Sequence, residues 1–204
     1  MTLERTIAKH LLDIEAVALR PNDYFTWTSG IKSPIYCDNR ITMSYPKIRR
    51  EIAVGMSKVI KEKFPEVEVV AGTATAGIPH AAWVSEALDL PMIYVRDSAK
   101  KHGKTNQIEG RLLEGQKVVI IEDLISTGLS SLKVAKALEE AGAVVLGVVA
   151  IFSYELKKAQ DAFAADKVEY YTLTNYNFLI EEAVASKYIK QEDVEKLLEW
   201  RNNL

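Results

Sequence analysis

Apolar residues fall along this chain at two alternating spacings. Leu3, Ile7, Leu11, Ile14 and Ala18 recur at helical intervals, which predicts an amphipathic helix over residues 4–18 with His10 beside its apolar face. Residues 20–42 mix aromatics with Pro, Gly, Ser and Asn, the pattern of a turn with short strands. Ile48, Ile52, Val54, Met56, Val59 and Ile60 predict a helix from Pro46 to Phe64, which Pro65 stops. "VEVVAG" then reads as a strand. The cycle repeats with a helix from about Pro79 to Leu88, a strand "PMIYVR", a charged loop, a strand "KVVII", a helix from about Ser131 to Ala141 and a strand "VLGVVAIF". An amphipathic segment over Ala159–Ala165, a strand "VEYYTLT" and a helix from about Glu192 to Trp200 complete the chain.

Such alternation predicts an α/β fold, a central parallel sheet with right-handed crossovers and helices on both faces. No repeat or break in composition divides the 204 residues. One domain over 1–204 is expected, with residues 1–45 and part of the C-terminal tail forming a small hood over the sheet's working edge.

Composition narrows the function classes. With 48% hydrophobic and 26% charged residues the chain can bury an ordinary globular core. A formal net charge of −2 gives no overall attraction to nucleic acid or an anionic membrane, so any anion must be bound locally. No apolar run approaches the ~20 residues that span a bilayer. "MTLERTIAKHLLDIEA" alternates charge with apolar residues, unlike a secretory signal, and the expected location is the cytoplasm. The single cysteine, Cys37, can form no internal disulfide and has no Cys or His neighbours of a metal site, so it reads as a packed thiol in a reducing compartment.

In open parallel sheets ligands bind at the carboxyl ends of strands, and three junctions there carry candidate chemistry. In "VVIIEDLISTGLSS", residues 118–131, an aliphatic strand meets Glu122 and Asp123, which can accept hydrogen bonds from a sugar diol. Ser126, Thr127 and Ser130 then offer hydroxyls, Gly128 a sharp turn, and the coming helix its free N–H groups, a combination suited to phosphate. The bland alternative is an exposed strand end followed by a plain N-cap. Neither a Walker A sequence nor a dinucleotide-binding G-x-G-x-x-G is present. In "VVAGTATAGIPHAAW", the small residues Thr73, Ala74, Thr75, Ala76 and Gly77 let successive backbone N–H groups converge on a second anion. In "RDSAKKHGKTNQIEG", Arg96, Lys100, Lys101, His102 and Lys104 face one early acid, Asp97, in a connection long enough to be a functional flap.

These segments together resemble the type I phosphoribosyltransferases. "VVIIEDLISTGLSS" resembles their phosphoribosylpyrophosphate motif, "GTATAGIPHA" their pyrophosphate loop, and Arg96-x-x-x-Lys100-x-His102-Gly103 their flexible loop. "FTWTSGIKSPIYCDNR" resembles the hood of the orotate-using members, and the family's order is followed from about residue 20 to residue 155. The resemblance implies transfer of the phosphoribosyl group of 5-phosphoribosyl 1-diphosphate (PRPP) to orotate, with Mg²⁺, giving orotidine 5′-phosphate for pyrimidine synthesis. It further implies a homodimer with shared active sites and no nucleic-acid or membrane partner.

Residue by residue, the resemblance places Glu122 and Asp123 on the ribose hydroxyls, directly or through the metal. It places Ser126, Thr127, Gly128, Leu129 and Ser130 around the 5′-phosphate and Thr73 to Gly77 around the pyrophosphate, with Leu124 and Ile125 also on PRPP. Arg96, Lys100 and His102 would close over the leaving group from the neighbouring subunit, with Lys100, His102 and Asp123 the catalytic candidates. Mg²⁺ would arrive with PRPP, Asp123 being its candidate protein contact.

Three residues depart from the better-known pattern: Asp97 stands for a Lys, Thr28 for a Lys, and Tyr154 in the region of an orotate-recognising Arg. The orotate contacts are therefore assigned to Ser126, Lys32 and Arg40, with an Arg40–Asp38 pair as the structural alternative. A phosphoribosyltransferase for another base, or a PRPP-sensing regulator, would share the ribose and phosphate sites. His80 reads as a packing residue, Trp27 as a hood residue over a planar base, and Trp83 and Trp200 as core or interface aromatics.

Overall fold

In the computed structural model, residues 2–27, 30–97 and 107–204 are described. Strand β5 (Val69–Thr73) shows why the sheet is central: all five residues are buried, Val70 in one hydrophobic cluster and Val69 and Ala71 in another. That two-residue alternation is the strand period, and it requires cover on both faces. The first cluster contains Ile7 and Leu11 of helix α1 (Leu3–Asp13), Ile52 and Met56 of α2 (Pro46–Lys63), and Val84 of α3 (Gly77–Leu88). The second contains Leu138 of α4 (Leu129–Glu140) and Phe163 of α5 (Lys157–Asp166).

The main sheet has six strands in the order β10-β9-β8-β5-β6-β7. Strands β6 (Met92–Val95), β8 (Lys117–Ile125), β9 (Val144–Ser153) and β10 (Tyr170–Asn175) join β5 in parallel, and β7 (Ile108–Glu109) closes one edge antiparallel to β6. Two small antiparallel pairs lie outside it: β1 (Val17–Leu19) with β4 (Ile35–Cys37), and β2 (Phe25–Thr26) with β3 (Lys32–Ser33). A 3-10 helix, Asn39–Ser44, leads into α2. Helix α6 (Tyr176–Ala185) follows β10, and α7 (Val194–Asn202) ends the chain. No helix among the described residues is long and apolar enough to cross a membrane.

Several boundaries differ from the sequence expectation. Helix α1 stops at Asp13, not Ala18, because Glu15 turns left-handed (φ 57°) and Val17–Leu19 find ladder partners in Ile35–Cys37. Strand β7 lies inside the stretch expected to be a charged loop. Helix α6 was not anticipated: "YNFLIEEAVA" buries Tyr176, Leu179, Ile180 and Ala183 at helical spacing, but Phe178 and Val184 also pack on the core and Glu182 is buried, which blurs its two faces, while Asn175 caps it by accepting from Phe178 N–H. Strand β8 does not end at Ile121. It continues through Glu122 and Asp123 because Leu124 and Ile125 pair with Phe152 and Ser153 of β9.

Candidate active site

The continuation of β8 sets the two acids inside a strand, with the aliphatic run Val118–Ile121 behind them fully buried. Glu122 is only 4% exposed and accepts from the Ser131 hydroxyl at the start of α4 (3.1 Å) and from the Asp123 backbone N–H (3.1 Å). Burial, and then the charge of Asp123, pushes the Glu122 carboxyl up to about 8. Burial also raises Asp123, partly offset by its hydrogen bond with Glu122 and by nearby backbone N–H groups. The pair titrates as a unit that holds a proton near neutrality and favours a partner that is cationic or donates hydrogen bonds. On its other side the strand is held by Asn39, whose side-chain amide donates to the Asp123 carbonyl at 2.7 Å.

Both flanking helices begin without a side-chain cap. Gly128 precedes α4 with φ 78°, and a Cβ there would lie 2.7 Å from the Phe163 ring, so only glycine suits the turn. The "STG" segment is therefore not the plain N-cap of the bland reading: the N-cap is Gly128 itself, and no side chain caps the first N–H groups of α4. Helix α3 begins at Gly77, where a Cβ would meet the Ile121 carbonyl oxygen at 2.5 Å, so the small-residue loop is pressed onto β8 one residue before the acids. In that loop the Ala74–Thr75 peptide is cis, Ala74 N–H donates to the Val95 carbonyl (3.0 Å), and the buried Thr73 hydroxyl has no partner among the described residues.

Beside the acids a cavity of about 340 Å³ is walled by Trp27, Tyr36, Tyr154 and Leu124, with Thr26, Cys37 and Ser126 supplying polar atoms. Trp27 and Tyr154 pack at 5.6 Å between ring centroids, and Trp27 Nε1 donates to the Ile35 carbonyl at 3.0 Å. The cavity suits a flat ring with a few polar substituents. Burial and the neighbouring Asp123 push the Cys37 thiol up, which keeps it protonated and inert.

The structure brings Glu122, Asp123, the Ser126–Ser130 turn and the Thr73–Gly77 loop to one edge, and Ser126 joins them to the aromatic cavity. Arg96 lies at the end of β6, its Nη1 3.5 Å from Glu109, and with Ser130 it lines a separate cavity of about 390 Å³. Lys32 donates to Thr26 Oγ1 (2.7 Å) at the rim of the aromatic cavity. Arg40 is committed to Asp38 by two hydrogen bonds of 2.6 and 2.8 Å, the structural alternative foreseen for it. Lys100, Lys101, His102 and Lys104 lie outside the described residues, as does Thr28. His80 is buried with a pKa lowered by burial to about 4, its Nε2 3.4 Å from Thr42 Oγ1, as a packing residue should be. Sequence reasoning missed Tyr36 and Asn39, read Cys37 only as a packed thiol and Tyr154 only as a lost cation. Tyr36, Cys37 and Asn39 stand inside the quoted hood segment, their only signal of a place at the site.

Comparison with known proteins bears on this geometry. The phosphoribosyl transferase domain family matches residues 44–187. An orotate phosphoribosyltransferase of Enterococcus faecalis is 64% identical over 199 residues, covering 98% of this chain and 95% of the relative. One from Staphylococcus aureus is 62% identical over 202 residues, covering 99% and 100%. The crystal structure of orotate phosphoribosyltransferase from Aeropyrum pernix superposes with a TM-score of 0.77 at 26% identity, covering 90% of this chain and 99% of that one. Near-full-length identity at this level, on a fold that sets an acid pair between two uncapped helices, leaves no other home for the sequence: the chain belongs to the orotate phosphoribosyltransferases.

Proposed function

We propose that this chain transfers the 5-phosphoribosyl group of PRPP to orotate, releasing pyrophosphate and forming orotidine 5′-phosphate in pyrimidine synthesis. The observation that carries the reading is the buried carboxyl pair of Glu122 and Asp123, set between two uncapped helix starts and followed directly in the chain by the aromatic-cavity residues Leu124 and Ser126. In the reaction the bond from the anomeric carbon to a pyrophosphate oxygen breaks, the electron pair leaving with pyrophosphate. A bond to a ring nitrogen of orotate forms as that nitrogen gives up its proton. Positive charge grows on the sugar and negative charge on the leaving group, as in glycoside cleavage.

Each part of the site meets one of those demands. Glu122 and Asp123 accept hydrogen bonds from the ribose hydroxyls and face the developing cation with negative charge. Ser126 to Ser130 and the head of α4 hold the 5′-phosphate, and Thr73 to Gly77 with the head of α3 hold the pyrophosphate. Trp27, Tyr36 and Tyr154 flank the base, while Ser126, Lys32 and Arg40 are assigned to its polar groups. Arg40 pairs with Asp38 through Nε and Nη2, and Nη1 is the donor assigned to orotate. Arg96, Lys100 and His102 neutralise the departing pyrophosphate, and closure over it keeps water from the sugar cation.

Two adjacent hard-oxygen ligands, with no cluster of three or more acidic, His or Cys groups among the described residues, suit Mg²⁺, which keeps several waters and binds substrate phosphates. Bound with PRPP, Mg²⁺ would neutralise pyrophosphate charge. We assign the enzyme to the cytoplasm, as a homodimer in which the basic loop serves the neighbouring site. The test is a panel of orotate, adenine, xanthine and uracil, each with PRPP and Mg²⁺. Only orotate should be consumed; turnover of another base, or of none, overturns the reading.

A further inference from the structure

The walls of the aromatic cavity differ in how they are held. Tyr154 follows β9 and Leu124 belongs to β8, so the main sheet fixes both. Thr26 and Trp27 come from the β2–β3 hairpin, whose strands are two residues each and which forms a sheet of its own, with no ladder to the six-stranded one. A hairpin that short does not hold its own position.

Helix α7 supplies contacts along this hairpin and its approach. Trp200 Nε1 donates to the Lys32 carbonyl at 2.9 Å, and its ring meets Trp27 edge-on at 5.9 Å and 86°. Lys196 donates to Asn22 Oδ1 at 2.9 Å and lies 5.6 Å over the Tyr24 ring. The helix is itself anchored to the body at points that do not involve the hairpin. Leu197 is fully buried and its carbonyl accepts from the Tyr176 hydroxyl at 3.1 Å. Arg201 donates to Asn177 Oδ1 at 2.8 Å and pairs with Glu155 at 3.5 Å. Glu155 directly follows the cavity residue Tyr154 and also accepts from Asn175 and Asn177, which places the α7 anchor next to the ring that Trp27 packs against.

We infer that α7 is a clamp for the base site: Trp200 is a positioning residue that holds Trp27 against Tyr154 and so fixes the aromatic wall against which the base fits. This rests on the orotate reading above. It also gives a specificity role to the C-terminal helix, which lies outside the segment matched by the family domain. Trp200 does not itself line the cavity. Its substitution therefore alters the fit of the base while the ribose and phosphate sites, built on β8, α3 and α4, keep their geometry.

The test compares Trp200→Ala and Trp200→Phe with the parent, by steady-state kinetics in each substrate and by hydrogen exchange over residues 25–33. Trp200→Ala should raise the KM for orotate roughly tenfold or more, as expected when a binding group moves by a fraction of an ångström to ~1 Å. The KM for PRPP should stay within about twofold. Trp200→Phe, which keeps a ring but loses the bond to Lys32, should fall between. Exchange in the hairpin should rise in Trp200→Ala while Val69–Thr73 and Lys117–Ile125 stay protected. A purely structural role would lower the melting temperature and move both KM values together, or neither; either outcome overturns the inference, as does unchanged hairpin exchange. If the parent itself fails to use orotate, the functional reading falls instead, and the exchange measurement still decides whether α7 holds the hairpin.

Discussion

Gly77→Ala tests how the pyrophosphate loop is placed against the acid strand. The added Cβ would lie 2.5 Å from the Ile121 carbonyl oxygen, against the 3.4 Å at which ordinary contact begins, so the two elements must part by about 0.9 Å. Both partners are backbone, and no side-chain rotation can relieve the clash. Overpacking of this kind costs about 1–3 kcal/mol. For a domain of this size that corresponds to a fall in Tm of roughly 2–12 °C. The functional loss should be larger, because the shift carries the Thr73–Gly77 loop away from Glu122 and Asp123, and a misplacement near 1 Å can cost ~100-fold in rate. Thermal melting with and without PRPP, beside kcat/KM for PRPP, reads both effects. Gly55→Ala is the control: it lies mid-helix, its Cβ meets only the flexible Leu173 side chain at 3.2 Å and Leu3, and it should leave activity unchanged. If Gly77→Ala melts lower yet keeps kcat/KM within about twofold of the parent, the placement argument is wrong.

Further outcomes are expected at Asp123, Glu122 and Arg40. Asp123→Asn should weaken PRPP binding, measured by calorimetry, without disturbing the fold; mixed with inactive Lys100→Ala protein it should recover partial activity through hybrid dimers, and a silent mixture would argue against shared sites. Because the Glu122 carboxyl is raised to about 8, PRPP binding in Mg²⁺ that requires the ionised pair should tighten between pH 6 and 8 and level off above, by at most ~tenfold per pH unit. Glu122→Gln should abolish that slope. In the unliganded fold the sign reverses, since the native state binds the extra proton: stability falls as pH rises from the ordinary carboxylate range toward 8, and Glu122→Gln should melt higher than the parent at pH 8. Arg40→Ala should raise the KM for orotate roughly ten- to a hundredfold with little change for PRPP; no change would leave Arg40 as the partner of Asp38 alone.

The sheet was readable in sequence because strands buried on both faces appear as unbroken aliphatic runs, and "VVII" and "VLGVVAIF" mark the adjacent interior strands β8 and β9. The same reasoning ended β8 too early. Two acids look like a strand terminus, whereas the ladder to β9 carries the chain through them, and that burial is what raises their pKa values. Helix α1 was overextended because periodicity does not report the left-handed residue that ends it. Helix α6 was missed because Phe178, Val184 and the buried Glu182 blur the helical spacing of Tyr176, Leu179, Ile180 and Ala183. The two loops we assign to phosphate stand out locally as runs of small and hydroxyl residues, and the structure sets both beside β8. The base cavity was not, since Trp27, Tyr36, Leu124 and Tyr154 meet only through tertiary packing, and nothing local tells Tyr154 as an aromatic wall from Tyr154 as a missing cation. The clamp by Trp200 is likewise a contact between chain segments far apart in sequence, carried by one indole N–H and one edge-on ring.

The central claim is that the Glu122–Asp123 edge and the aromatic cavity act as one site for one displacement. Purified protein with Mg²⁺, PRPP and orotate, followed simultaneously by loss of orotate absorbance and by release of pyrophosphate, measures that directly. The account predicts loss and release in a one-to-one ratio, absent when either substrate is left out. Pyrophosphate released without orotate consumed would mean that the sugar is passed to water, and the two sites do not work together.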